Sequence, residues 1–307
     1  MNHLPPHVTR EPAGPVGFGR TDLLLCVCMA LWGLNFVAVK LALRGGLPPL
    51  ALLGLRWPLF GLAMLAIARG LEGDLRLHRR HLWAVVLLGV VLSVNQIAWT
   101  HGLHLTLAPK AAILMTTSPV FAALFAPLFR DTRLSALAWV GVFLALSGSA
   151  VVITGGSLQQ LLRAPATLGD VLIVCAAMLV GAATAGARPL LRHYSPLKYA
   201  AYHVALGALF LLPATAGPVA TLDFGAVTPM AWLGLSYSIV FAGVIGFWIY
   251  YRGVGDIGGA RTAIYMAGIP VTALLGAALL LRDEVIGWVH VVGAAITIVG
   301  VWMARRY

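Results

Sequence analysis

The chain is short of charge. Only 10% of its 307 residues are Asp, Glu, Lys or Arg, whereas 60% are hydrophobic. A soluble domain of this size carries about a quarter charged residues. With so few, no polar coat can cover a globule, and a water-soluble fold is excluded. The mean hydropathy of +0.92 fits side chains that mostly meet lipid. Cysteine is also scarce. Cys26, Cys28 and Cys175 all fall inside apolar runs, and residues at i, i+2 on a helix point to different faces. No disulfide framework follows, so these are read as small packing residues.

Chemistry-bearing constellations are missing too. No Ser/His or paired-Asp arrangement supports an enzyme. His101 and His104 lie one helical turn apart with no third ligand near in sequence, so no metal site and no cofactor are expected. Gly253, Gly255 and Gly258 spell G-x-G-x-x-G, but after a membrane helix rather than a strand. That stretch is read as a flexible cytoplasmic turn.

What the chain has is long apolar runs. Ten are read: about 22–43, 47–69, 82–101, 108–129, 134–154, 168–191, 197–213, 229–251, 259–281 and 285–304. About 20 apolar residues cross a hydrocarbon core of ~30 Å as a helix. Continuous runs without alternation argue against a β-barrel. The first 20 residues are polar and Pro-rich, with no apolar core or cleavage site. They are read as a short tail before an uncleaved insertion helix.

The net charge of +11 is a topology signal rather than a sign of nucleic acid. With ten spans and a cytoplasmic N-terminus, fifteen Lys and Arg fall inside and three (Arg44, Arg163, Arg282) outside. This bias predicts an inner-membrane protein with both termini cytoplasmic. The expected partners are a small-molecule substrate and the bilayer, not nucleic acid, for a monomer or weak dimer.

The chain also repeats itself. "APKAAILMTTSPVFAALFAPLF" lies over "GARTAIYMAGIPVTALLGAALL" at a shift of 151, so Lys110 meets Arg261 and Pro119 meets Pro270. One inserted residue brings Gly141 to Gly293 and Gly148 to Gly300. "TDLLLCVCMALWG" lies over "GDVLIVCAAMLVG" at a shift of 148, pairing Gly33 with Gly181, and a further adjustment pairs Arg56 with His203. Five spans per half is an odd number, so the halves insert with opposite sense. The expectation is an all-α integral membrane fold: ten transmembrane helices as a 5+5 inverted repeat around a central cavity. Its parts are a tail at 1–20, a first repeat at 21–155, a linker at 156–166 and a second repeat at 167–307.

These stretches resemble a known family. "ALWGLNFVAVKLALRGGLPPLALLGLRW", the block from Ser118-Pro119 to "GSAVV", and the block from Ile269-Pro270 to "RDEVIGWVHVVGAAITIVG" are similar to the EamA family of the drug/metabolite transporter superfamily. The resemblance covers nearly all of the chain after residue 20. It implies ten helices in a five-plus-five inverted repeat and transport, often export, of amino acids and similar metabolites. The match is closest to exporters of cysteine-pathway metabolites. Thr132 stands where the family usually has Glu, and Lys110 is atypical of the closest members.

Lys40, Arg56 and Lys110 are the basic residues placed at bilayer depth. Such a cation costs ~2.5–3.5 kcal/mol on insertion scales, so it mostly faces a cavity or the bundle interior. Lys40 and Lys110 stand near helix ends, where snorkelling to the interface competes. Arg56 is ~13 Å into its helix at 1.5 Å per residue, with an interhelical clamp as the rival role. Arg261 sits in a first helical turn, as Lys110 does, where a cation is offset only by something anionic. Asn35 and Gln96 match positions in the resemblance, and Trp99, Thr117, His203 and Tyr265 complete the expected cavity set; interhelical hydrogen bonding is the alternative for the polar ones. Trp83, Tyr250, Tyr251 and Trp302 are read as interfacial-belt residues. Pro119 and Pro270 are expected to bend their helices. No carboxylate falls at mid-membrane, which argues for facilitated diffusion or exchange, with His203 the only deep titratable group. The expected function is export of amino acids or related carboxylates by alternating access, with lipophilic-compound efflux as the alternative and a non-transporting scaffold less favoured.

Overall fold

A computed structural model describes residues 19–105, 111, 114–129, 134–154, 168–280 and 288–306. Every regular element among them is helical: α1 (Arg20–Arg44), α2 (Pro49–Glu72), α3 (Arg79–Leu105), α4 (Ser118–Phe125), α5 (Ala136–Thr154), α6 (Leu168–Leu190), α7 (Pro196–Ala220), α8 (Pro229–Ile257), α9 (Gly259–Ile264), α10 (Ile269–Leu280) and α11 (Trp288–Arg306). Six of these, α1, α2, α3, α6, α7 and α8, are long and apolar enough to cross a membrane, and shorter apolar helices lie at Ser118–Phe129, Ala136–Val151 and Trp288–Ala304. Large apolar side chains such as Leu62, Phe143 and Ile298 are left exposed on the outside of the bundle. That surface suits lipid and not water.

Local sequence explains the turns. The α1–α2 hairpin needs Gly46, whose φ of 101° no β-carbon tolerates well, and Pro48-Pro49 then starts α2 with a fixed φ. Gly258 has φ 94° and ends α8. The helix continues through Gly253 and Gly255, so the expected flexible turn at 253–258 is a helix end with a single glycine break. The α7 helix also outlasts its expected end, passing through Pro213 and Pro218 to Ala220.

The two runs expected as continuous bent helices, 108–129 and 259–281, are each interrupted. A turn at Thr116–Thr117 precedes α4, and a 3₁₀ turn at Tyr265–Gly268 separates α9 from α10. The breaks stand at the same place in the repeat, just before Pro119 and Pro270. Each proline sits in the first turn of the following segment instead of kinking the middle of a helix, because its missing N–H is harmless there. Hydroxyls take up exposed carbonyls: Thr117 Oγ1 donates to Leu114, and Ser149 Oγ donates to Ala267 at 2.8 Å.

The helix contacts come in matched pairs. The α1 helix packs on α8 and α10, and α6 packs on α3 and α4. A β-carbon on Gly33 would strike Thr272 and the Ala273 nitrogen; one on Gly181 would strike Phe121 and the Ala122 nitrogen. Those partners differ by the offsets of 148 and 151 found in the sequence. Likewise Gly102 meets Ile173 while Gly253 meets Leu25, and Gly148 meets Thr297 while Gly300 meets Ala145. The α2–α7 and α5–α11 pairs are their own counterparts. In α5–α11 the glycines let backbone touch backbone, the small-residue packing that lets membrane helices approach closely.

Candidate functional site

A cavity of about 110 Å³ lies among α1, α2, α3, α6, α8 and the broken segments before α4 and α10. Asn35, Arg56, Gln96 and Trp99 line it, with Asn95, Thr116, Trp32, Phe36, Met115, Val180, Phe247, Met266 and Ile269. The walls are therefore mostly aromatic and apolar, with a few amides and one cation. Neighbouring rings hold one another. Phe36 meets Trp99 edge-on at 5.5 Å, and Trp32 meets Phe247 edge-on at 5.6 Å.

Helix irregularity positions this wall. Residues Ser238–Ile245 form a π-helical stretch in α8, a form frequent at functional sites. The Ala242 carbonyl there accepts from Trp32 Nε1 at 2.9 Å, and the Gly246 carbonyl accepts from Cys28 Sγ at 3.2 Å. On the matching seam, Asn95 Nδ2 donates to the Ala176 carbonyl at 2.7 Å. Gln96 Nε2 then donates to Asn95 Oδ1 at 2.8 Å, which orients Gln96 at the cavity wall. Asn95 thus spends its amide on the helix seam.

Arg56 is the electrostatic centre of the cavity. It is buried, only 5% exposed, and its Nε has no hydrogen-bond partner. Among the described residues its guanidinium makes no hydrogen bond or ion pair. Its one polar contact is with the Trp57 ring, 5.5 Å from the centroid. Asn35 is also buried, and its Oδ1 has no donor. A buried cation without a counter-charge is costly unless something anionic joins it.

The other expected residues lie elsewhere. Thr117 is turned to its own helix break, and its neighbour Thr116 lines the cavity instead. Lys40 is half-buried near the end of α1, outside the cavity lining. Lys110 lies outside the described residues. His203 is buried away from the cavity: its Nε2 donates to the Leu88 carbonyl at 3.0 Å, and its Nδ1 accepts from the Tyr251 hydroxyl at 2.6 Å. Tyr265 is buried near the start of α1, where its hydroxyl donates to Asp22, and Arg261 is half-buried one turn before it. Tyr250 and Tyr251 are buried at 2% and 4% exposure, not interfacial; Trp83 and Trp302 are well exposed. The two tyrosines join Tyr199 and His203 in an aromatic block that fills the bundle beyond Trp32. Composition alone does not reveal the apolar lining, because a cavity-facing Phe or Met reads like a lipid-facing one.

The model of the EamA-like transporter family matches residues 19–154 and again 167–306. The chain belongs to the EamA-like transporter family. The two matched segments cover the two halves of the sequence repeat. EamA relatives include the transporter YetK of Bacillus subtilis, 24% identical over 91% of this chain and 84% of its own length. A transporter of Archaeoglobus fulgidus is 28% identical over 92% of this chain and 96% of its own. A "probable terminal-alkyne amino-acid exporter" of Streptantibioticus cattleyicolor is 30% identical over 92% of both chains. A solved crystal structure shares the fold with a TM-score of 0.75 at 16% identity, covering 92% of this chain and 96% of that one. The EamA chain described here is thus a multi-pass membrane transporter.

Proposed function

We propose that this transporter carries small metabolites bearing a carboxylate, amino acids foremost, and exports them by alternating access. The carrying observation is Arg56, a buried guanidinium in the cavity wall without a carboxylate partner among the described residues. A substrate carboxylate is the group that geometry and charge call for, because Arg presents a fork of donors matched to two oxygens. Asn35 Oδ1 supplies an unpaired acceptor for an ammonium group in the same cavity. Aromatic walls suit an apolar side chain. The printed name of the Streptantibioticus relative points to the same substrate class.

The architecture that goes with this reading is a ten-helix, 5+5 inverted repeat, in the inner membrane with both termini cytoplasmic. It is supported by the matched contact pairs, by the two family segments and by the distribution of Lys and Arg. Inversion supplies the mechanism: if each half adopts the other's conformation, the open side of the cavity changes. The test is counterflow in proteoliposomes with a panel of labelled neutral amino acids. Exchange of at least one member, competed by its free acid but not by its carboxamide, is expected. Equal competition by acid and carboxamide would sink the carboxylate reading.

A further inference from the structure

Arg56 has a counterpart. The repeat sets it against His203 at an offset of 147, within the α2–α7 pair. These helices run antiparallel: Gly61 rests on Ala205, while Gly54 lies by Thr215 and Val219. Arg56 precedes Gly61 by five residues and His203 precedes Ala205 by two, so the two basic side chains flank the crossing from opposite sides. Their surroundings are exchanged as well, since α2 packs on α8 where α7 packs on α3.

The two sites differ in one respect. Arg56 faces the cavity and has no protein partner among the described residues. His203 is dry, and both ring nitrogens are occupied. A carbonyl only accepts, so Nε2 carries the proton toward Leu88. Buried with no counter-charge beside it, the sealed ring is neutral, so Nδ1 accepts from Tyr251. The groups facing it are the Tyr199 ring from α7, the Tyr251 hydroxyl from α8 and the Leu88 carbonyl from α3. No carboxylate, lysine or arginine reaches it among the described residues. One basic site lines a cavity and its twin is packed shut, as expected of one state of a two-state carrier.

We propose that His203 is the second carboxylate-binding group of this transporter, used when the cavity opens to the opposite, cytoplasmic face. Opening separates the ring from Tyr251 and Leu88. The hydrated imidazole takes one proton from cytoplasmic water, and the resulting cation receives the substrate carboxylate as Arg56 does on the other face. When the site closes, whether empty or with the substrate passed on to Arg56, the ring returns that proton to the same water and rebinds Leu88 and Tyr251. This rests on the carboxylate-carrier reading.

The experiment measures KM separately at each face, in right-side-out and inverted vesicles, with the fastest-exchanging labelled amino acid of the panel. Zwitterionic amino acids do not titrate between pH 5.5 and 7.5, so any change belongs to the protein. A hydrated histidine titrates near ~6.5. The cytoplasmic-face KM should therefore be about tenfold lower at pH 5.5 than at 7.5, while the outer-face KM, set by Arg56, stays constant. H203Q retains an amide donor for Leu88 and an acceptor for Tyr251, and should abolish the dependence while leaving outer-face KM unchanged. Other histidines lie at the same end, where His81 stacks on His193 at 4.7 Å. The double variant H81Q/H193Q should keep the wild-type dependence. A cytoplasmic-face KM indifferent to pH, a dependence that survives H203Q, or one that disappears with H81Q/H193Q overturns the proposal. None of these outcomes touches the carboxylate-carrier reading, which fails if no member of the panel exchanges or if acid and carboxamide compete equally.

Discussion

Consider replacing Arg56 by methionine, which fills a similar volume without the charge. Arg56 is 5% exposed and unpaired among the described residues. A cation at bilayer depth costs ~2.5–3.5 kcal/mol on insertion scales. The Trp57 ring at 5.5 Å offsets roughly 1 kcal/mol of this. The methionine variant should then be more stable by about 2 kcal/mol. At roughly 2–4 °C per kcal/mol, a figure from chains somewhat shorter than this one, the melting temperature in detergent should rise by about 4–8 °C. Transport should move the other way. Charge-assisted hydrogen bonds contribute ~1.5–3 kcal/mol, and every ~1.4 kcal/mol is tenfold, so outer-face KM should rise roughly 10- to 100-fold. The opposite signs are the test. A variant that melts lower shows that the guanidinium is a structural clamp with a partner in the protein. A variant with normal KM shows that the substrate binds elsewhere.

Other substitutions follow from the same contacts. Gly300→Val would put its β-carbon 2.3 Å from the Ala145 nitrogen, and Gly148→Val would put its own 2.4 Å from the Thr297 nitrogen. Each overpacks backbone and should cost ~1–3 kcal/mol by thermal melting; a gap above about 2 kcal/mol between them would break the equivalence of the two halves. Ser149→Ala removes the 2.8 Å donor to the Ala267 carbonyl at the α9–α10 break and should destabilise by ~1–3 kcal/mol. Asn35→Leu should raise KM for amino acids but not for matched carboxylates lacking the amine. A uniform effect on both would remove Asn35 Oδ1 from the ammonium role.

Much of the frame was legible because membrane insertion constrains sequence strongly. Long apolar runs, biased Lys and Arg and the repeat offsets each carry a physical signal that survives without coordinates. The breaks at Thr116–Thr117 and Tyr265–Gly268 were legible only as prolines. Whether Pro270 bends a helix or begins one depends on whether hydroxyls such as Ser149 reach the freed carbonyls, and those come from residues distant in sequence. The cavity was partly legible. Arg56 and Asn35 stood out because polar groups at that depth need a reason. Phe247 and Met266 did not, since an apolar residue in a membrane helix is explained equally by lipid, core or cavity. Tyr251 was misplaced for a related cause: span-end position suggests an interfacial belt, but Tyr251 serves His203.

The pairing of Arg56 with His203 bears on energy coupling. A proton drives uphill transport only if it is taken up on one side and delivered on the other. The sealed His203 is neutral, so the proton gained on opening returns to the cytoplasm on closing. The substrate, already zwitterionic, does not carry it onward. Among the described acids none lies at mid-membrane to relay it; Asp22 and Asp170 sit in the first turns of α1 and α6. An imposed pH gradient should therefore change the rate of exchange without driving accumulation. The decisive measurement loads proteoliposomes with labelled amino acid at equal concentration on both sides and then steps the external pH. The internal concentration should stay level while the exchange rate shifts. Sustained accumulation against a concentration gradient would require a proton path across the whole bundle, and the neutral closed state of His203 would then be the wrong description of the cycle.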